Sequence, residues 1–127
     1  MFILILAFTI TIMYIYNMVN ETEKRKKILL KKQKNMLKRL SEIGPFVSGS
    51  VTVVKRICGN KACQCRKNKQ KKHPAMFLTW KENKKTKALY IPVAMYDDVK
   101  TWNNNYKKLK TIINKMSDIQ KELLKLR

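Results

Sequence analysis

The sequence predicts an α+β fold: a long helix, a small three-stranded antiparallel sheet interrupted by a tight cysteine-bearing turn, and a long C-terminal helix. Two observations carry this. Apolar residues recur at steps of three and four toward both ends of the chain, whereas the middle consists of short Val-, Thr- and aromatic-rich runs cut by Gly, Pro and Asn. At 127 residues, the ceiling is one compact domain with extensions, and its modest core would gain from an added staple.

Residues 1–19 carry no charged side chain and are rich in Phe, Ile and Leu. As a helix they would reach roughly 28 Å, enough for the hydrocarbon core of a bilayer. A cleavable signal is disfavoured, since there is no basic stretch before the apolar run and no A-x-A-like site after it. The run Lys24-Arg25-Lys26-Lys27 follows directly and would hold the remainder of the chain in the cytoplasm. A second reading stays open: Met18 is an in-frame start at the point where the charged, patterned chain begins, and starting there would leave a soluble protein.

Residues 20–43 read as a basic amphipathic helix. Leu29, Gln33, Met36, Leu40 and Ile43 fall on one face, with Lys31, Lys32, Lys34 and Lys38 mostly elsewhere, and Gly44-Pro45 stops the pattern. This helix either packs on its own domain or forms half of a coiled coil.

Residues 44–92 form the predicted β meander. Phe46 to Ile57 is extended and Val-rich, with a bend near Gly49; Met76 to Trp80 and Thr86 to Ile91 flank the polar stretch Glu82-Asn83-Lys84-Lys85 as a hairpin. Such a sheet has one apolar face in need of a cover. Residues 93–127 supply it: Val99, Trp102, Tyr106, Leu109, Ile113, Met116, Leu123 and Leu126 make a helical stripe, with Asp97 and Asp98 at the favourable end of the helix dipole. A helix of some 30 residues would be about 45 Å long and outreach a three-stranded sheet. Its far half must meet the first helix, antiparallel, or the same helix of a second subunit in a homodimer.

The three cysteines, Cys58, Cys63 and Cys65, lie within eight residues, and His73 is the only histidine. An odd, closely spaced set is a poor disulfide framework and fits a reducing compartment. Three thiols and an imidazole are the donors that structural zinc prefers, and Gly59-Asn60 supplies the tight turn, so Cys58, Cys63, Cys65 and His73 are the candidate ligands of a zinc-knuckle-like turn. The competing readings are idle thiols in a tight loop and a redox pair, the latter disfavoured because no C-x-x-C precedes a helix.

Charge points outward. With 29 Lys plus Arg against 8 Asp plus Glu, the net charge is +21, which favours a polyanion partner, nucleic acid or anionic lipid. Lys outnumbers Arg heavily, the balance expected for contact with a DNA or RNA backbone and little base reading. The candidate contact residues are Lys55 and Arg56 before the cysteines and Arg66, Lys67, Lys69, Lys71 and Lys72 after them. Phe77, Trp80 and Tyr90 are read as core, with base stacking from a sheet face as the other reading. Nothing suggests an active site: there is one His, no G-x-S-x-G and only 3 Gly, so no enzyme activity is expected.

The order Gly44-Pro45 through Gly49-Ser50, then Cys58-Gly59-Asn60-Lys61-Ala62-Cys63-Gln64-Cys65, then Phe77-Leu78-Thr79-Trp80 and Tyr90-Ile91-Pro92 resembles a group of small prokaryotic proteins defined as a domain of unknown function. The resemblance covers about Asn20 to Arg127 and implies a basic helix, a C-G-x-x-x-C-x-C turn, an aromatic strand and a long final helix, in a group associated loosely with mobile elements and transposases. The family pattern H-G-P departs here to Lys72-His73-Pro74, which puts the family histidine at Lys72. Water, a main-chain group or a second subunit therefore stand beside His73 as candidates for the fourth ligand.

Two functions are expected. One is a non-enzymatic, zinc-stapled, basic nucleic-acid-binding or accessory protein in the cytoplasm. The other is a membrane-tethered coiled-coil protein, anchored through 1–19 with its C-terminal part cytoplasmic, that binds anionic lipid or a protein partner.

Overall fold

The structure, a computed structural model, describes residues 1–127 and contains helix α1 (Phe2–Ser41), strands β1 (Ser50–Arg56), β2 (His73–Glu82) and β3 (Lys85–Ile91), and helix α2 (Tyr96–Lys125), with 3-10 turns at Gln64–Arg66, Lys69–Lys71 and Val93–Met95. The chain forms two compact units, Ile43–Lys110 and Met1–Glu42 with Thr111–Arg127.

The first unit holds the sheet. Its strands run β1-β2-β3, each antiparallel to the next, with Thr52 opposite Phe77 and Phe77 opposite Tyr90. Because side chains alternate along a strand, Met76 and Leu78 point inward with Ile91. They meet Val99 of α2 in the buried core, and Val47, Val51, Trp80, Tyr96 and Trp102 close around it.

Sequence patterning placed β1 at Phe46 to Ile57, but the strand is shorter. Residues before Ser50 are held by the helix instead: Trp102 O accepts from Val47 N at 3.2 Å, and Phe46 stacks on Tyr106 with ring centroids 6.3 Å apart. Gly49, the expected bend, has φ 114°, and a Cβ there would lie 2.6 Å from Thr79 O, so both conformation and space demand glycine. The hairpin turn is tighter than the polar stretch suggested. Glu82 and Lys85 pair with each other, which leaves Asn83 (φ 50°) and Lys84 (φ 63°) as a two-residue turn of the kind that matches strand twist.

At its other end β2 outruns β3, which stops at Ile91 before Pro92. The Tyr96 hydroxyl makes up the loss, accepting from Met76 N at 3.0 Å and donating to Pro74 O at 3.3 Å. Pro92 leads not straight into α2 but into the turn Val93–Met95, with Asp97 and Asp98 in the first turn of the helix as expected.

The second unit is helical. α1 runs unbroken through the apolar leader and the basic segment, which patterning had treated as separate stretches. Within it the anticipated face is the half-buried one: Leu29, Gln33, Met36 and Leu40 are sheltered while residues 1–21 are all exposed. The shelter is the far half of α2, where Gln33 Nε2 donates to Gln120 Oε1 at 3.1 Å. Ile112 is the buried isoleucine of that half, not Ile113, which is 51% exposed. The stripe therefore steps Leu109, Ile112, Met116, Ile119, Leu123, Leu126, keeping to strides of three and four where the expected face took a stride of seven.

Candidate metal centre

The end of the β1–β2 pair sets the site. Arg56, the last residue of β1, pairs with His73, the first of β2, so the chain leaves and re-enters the sheet at the same level. Cys58 stands two residues past β1 and His73 at the mouth of β2; the intervening segment has only to fold back to deliver the other two cysteines.

It folds back through a series of side-chain-capped turns. Asn60 accepts from Ala62 N through Oδ1 at 3.0 Å and from Cys63 N through its carbonyl at 3.2 Å. Cys63 then starts the 3-10 turn Gln64–Arg66, in which Cys65 is buried. Gly59 has open space around its Cα.

The four ligand atoms lie within 4.8 Å of one another. Cys58 Sγ is 3.5 Å from Cys65 Sγ, and Cys63 Sγ is 3.2 Å from His73 Nε2. Zinc–thiolate bonds of about 2.3 Å in a tetrahedron require sulfur atoms about 3.8 Å apart, so the spacing suits a metal ion at the centre. Cys58 N also donates to Cys65 Sγ at 3.4 Å, the type of main-chain support that orients a ligand sulfur. The electrostatics are prepared in the same sense. A main-chain hydrogen bond from Cys65, with side-chain hydrogen bonds from His73 and the two other cysteines, brings Cys63 from 9.0 down to about 6, close to the thiolate a metal needs. Burial pushes the Cys65 thiol the other way, above its ordinary value. A Cys3His group able to hold a metal ion is thus in place, with His73 inside it despite its shift from the resembling pattern.

The basic residues hang on this turn. Arg66 to Lys72 is an ordered segment and not an open loop: Gln64 O accepts from Lys67 N at 3.1 Å and Asn68 N at 3.0 Å, and Asn68 Oδ1 caps the turn Lys69–Lys71 by accepting from Gln70 N at 2.9 Å. Lys71 Nζ donates back to Gln64 Oε1. Arg66, Lys67, Lys69 and Lys71 are exposed and Lys72 half-buried, while Lys55 and Arg56 lie exposed at the end of β1. From residue 43 to residue 81 there are nine Lys and Arg and no Asp or Glu, so no carboxylate of this segment neutralises the surface.

Two aromatic residues read as core are not. Trp80 borders the core, but Phe77 and Tyr90 occupy the opposite face of the sheet, where Tyr90 is 53% exposed. The strict alternation Met76, Leu78, Trp80 against Phe77, Thr79 carried that information. What sequence reasoning missed altogether is Arg56 over the Phe77 ring, 5.4 Å from guanidinium carbon to centroid, since it depends on the register of β1 against β2.

Residues 21–101 match the family model described as "Domain of unknown function (DUF6788)". No curated protein and no solved structure matches the chain.

Proposed function

The chain belongs to the DUF6788 family, and from its own residues we propose that it is a small, non-enzymatic, zinc-stapled module that binds the backbone of DNA or RNA. The observation that carries this is the junction of the Cys3His group with an acid-free basic segment: Arg66 to Lys72 runs between Cys65 and His73, and Lys55 and Arg56 lead into Cys58. Zinc is the metal that three thiolates and one imidazole favour, and a closed four-ligand site is structural, not catalytic. Bound there, zinc supplies folding free energy to a small domain. Each phosphate the basic side chains neutralise releases counterions, which gives affinity that falls steeply with salt. Binding of that kind, nearly indifferent to sequence, suits an accessory of a mobile element.

A second observation supports a membrane-tethered form. The first part of α1 is long and apolar enough to cross a membrane and is wholly exposed, with Lys24 to Lys27 following it. In that form the basic unit sits on the cytoplasmic side, against anionic lipid or nucleic acid near the surface.

Filter binding of a random-sequence oligonucleotide across a salt series tests the first reading. A steep loss of affinity with salt is expected; affinity that ignores salt removes the phosphate contact. Flotation with phosphatidylserine vesicles, with and without residues 1–17, tests the second.

A further inference from the structure

The sheet face turned away from the core is not a bland surface. Register puts Arg56, Phe77 and Tyr90 on it together, and the rings of Phe77 and Tyr90 meet edge to face with centroids 5.6 Å apart. Arg56 Cζ lies 5.4 Å from the Phe77 ring centroid, a cation–π distance, and both Arg56 and Tyr90 are exposed. A recess of about 280 Å³ is lined by both, together with Ala75 and the metal-centre residues Cys58 and His73.

We propose that this recess receives a single unstacked base of single-stranded nucleic acid, resting on Tyr90 and beside the Arg56 guanidinium. The proposal rests on the nucleic-acid reading above and names its substrate class. Three features commit the face to this occupant. Exposed aromatic rings and guanidinium planes are the surfaces on which splayed bases stack. The volume falls just below the roughly 300 Å³ at which pockets for larger ligands begin, a size for one flat ring system. The ordered turns carrying Arg66 to Lys72 arise from the same metal-centre segment that lines the recess, and no acid between residues 43 and 81 repels a phosphate chain. A duplex keeps its bases inside and cannot fill such a recess without unstacking one. Because Cys58 and His73 line it, loading the centre with metal also sets its shape.

The test compares three probes on the full, zinc-loaded chain in mild detergent by fluorescence anisotropy: a 12-nucleotide oligothymidine, an abasic strand of the same length, and a duplex of the same length. The first two carry the same phosphates and differ only in bases. Oligothymidine is expected to bind about tenfold more tightly than the abasic strand, the effect of about one base on an aromatic ring. Tyr90→Leu should erase that advantage and leave the salt dependence unchanged, whereas Tyr90→Phe should keep it. Arg56→Gln, at an exposed strand end, repeats the base comparison should Tyr90→Leu disturb folding: it should reduce the oligothymidine advantage and, by losing one cation, lower the salt slope by about 1. Equal affinity for the two single strands, with steep salt dependence, overturns the base recess and leaves backbone binding standing. Absence of salt-dependent binding to any probe overturns both. Self-association abolished by Tyr90→Leu, without discrimination among probes, overturns the proposal by marking the face as a contact between copies.

Discussion

Cys63 Sγ and His73 Nε2 stand 3.2 Å apart, although the residues lie ten positions apart in the chain, one capping a turn and the other opening a strand. The strand pairing of Arg56 with His73 makes this possible: it fixes the imidazole at the level where the turn comes back. If the pair holds zinc, Cys63→Ser and His73→Ala should each weaken zinc affinity by more than about 100-fold, beyond the range seen when only an outer-shell partner is lost. Zinc per chain after purification without added metal, with the thermal midpoint before and after chelation, measures this. A metal-free wild type that melts as a single cooperative unit, unmoved by chelator, would end the zinc reading.

The same pair has a pH signature in the metal-stripped chain. Cys63, lowered to about 6 chiefly by its main-chain hydrogen bond from Cys65, should be the thiol that iodoacetamide modifies, with a rate rising through about pH 6. Buried Cys65 should stay unmodified, and zinc should protect all three. The stability effect has a definite sign. Between about 6 and 9.0 the unfolded chain holds a proton that folded Cys63 has lost, so this group's contribution is present above 9.0 and disappears as pH falls through about 6. Peptide mapping of alkylated protein across this range checks the assignment.

Periodicity was enough for the architecture, because each helix shelters one stripe and the strands alternate cleanly. It failed where a tertiary partner decides. Phe46 to Gly49 looks extended and Val-rich, yet Val47 takes its hydrogen bond from Trp102 O and not from a neighbouring strand. Ile112 and Ile113 are chemically identical, and only the line of contacts along α2 selects the first. In the site, cysteine spacing picked out Cys58, Cys63 and Cys65 as candidate donors but could not close the set, since the place of His73 depends on strand register. Phe77 and Tyr90 read as core residues of so small a domain, although Phe77 alternates with Met76 and Leu78 and Tyr90 with Ile91, which puts both on the other face.

Lys84 at φ 63° occupies a position where glycine is favoured. Left-handed backbone costs a residue with a Cβ about 1 kcal/mol or more, and glycine returns part of that gain as unfolded-state entropy. Lys84→Gly should therefore stabilise the sheet unit by up to about 1 kcal/mol, read as a higher midpoint in urea. A lower midpoint would mean that the lysine side chain supports the hairpin in another way.

Gly49→Ala should act in the opposite direction. Its Cβ would meet Thr79 O at 2.6 Å, and the contact cannot be relieved by a side-chain rotation because the obstacle is backbone in the central strand. Positive φ adds its own strain, so a loss of about 2 kcal/mol or more is expected. Urea unfolding of the variant measures it, with wild-type stability as the result that would refute the argument.

Asn103 gives the most discriminating test, because it is the buried polar side chain of the sheet unit, 3% exposed, and its amide spans two carbonyls, Val47 O at 3.3 Å and Gly49 O at 2.9 Å. Asn103→Leu keeps the volume and strands both acceptors, which should cost about 1–3 kcal/mol. Asn103→Asp goes further. Ionised, it would face two carbonyl oxygens with no proton to give; protonated, it can donate to one of them. Its folded pKa must then lie above the ordinary carboxyl value of about 3.9, so the variant's stability is retained below that value and lost as pH rises toward the raised one. Thermal melts of the three proteins between acid and neutral pH should show Asn103→Asp falling below Asn103→Leu only as pH increases. If Asp and Leu variants keep the same difference throughout, Asn103 does not hold the two carbonyls, and the turn into β1 is fixed by Gly49 and the Val47–Trp102 hydrogen bond alone.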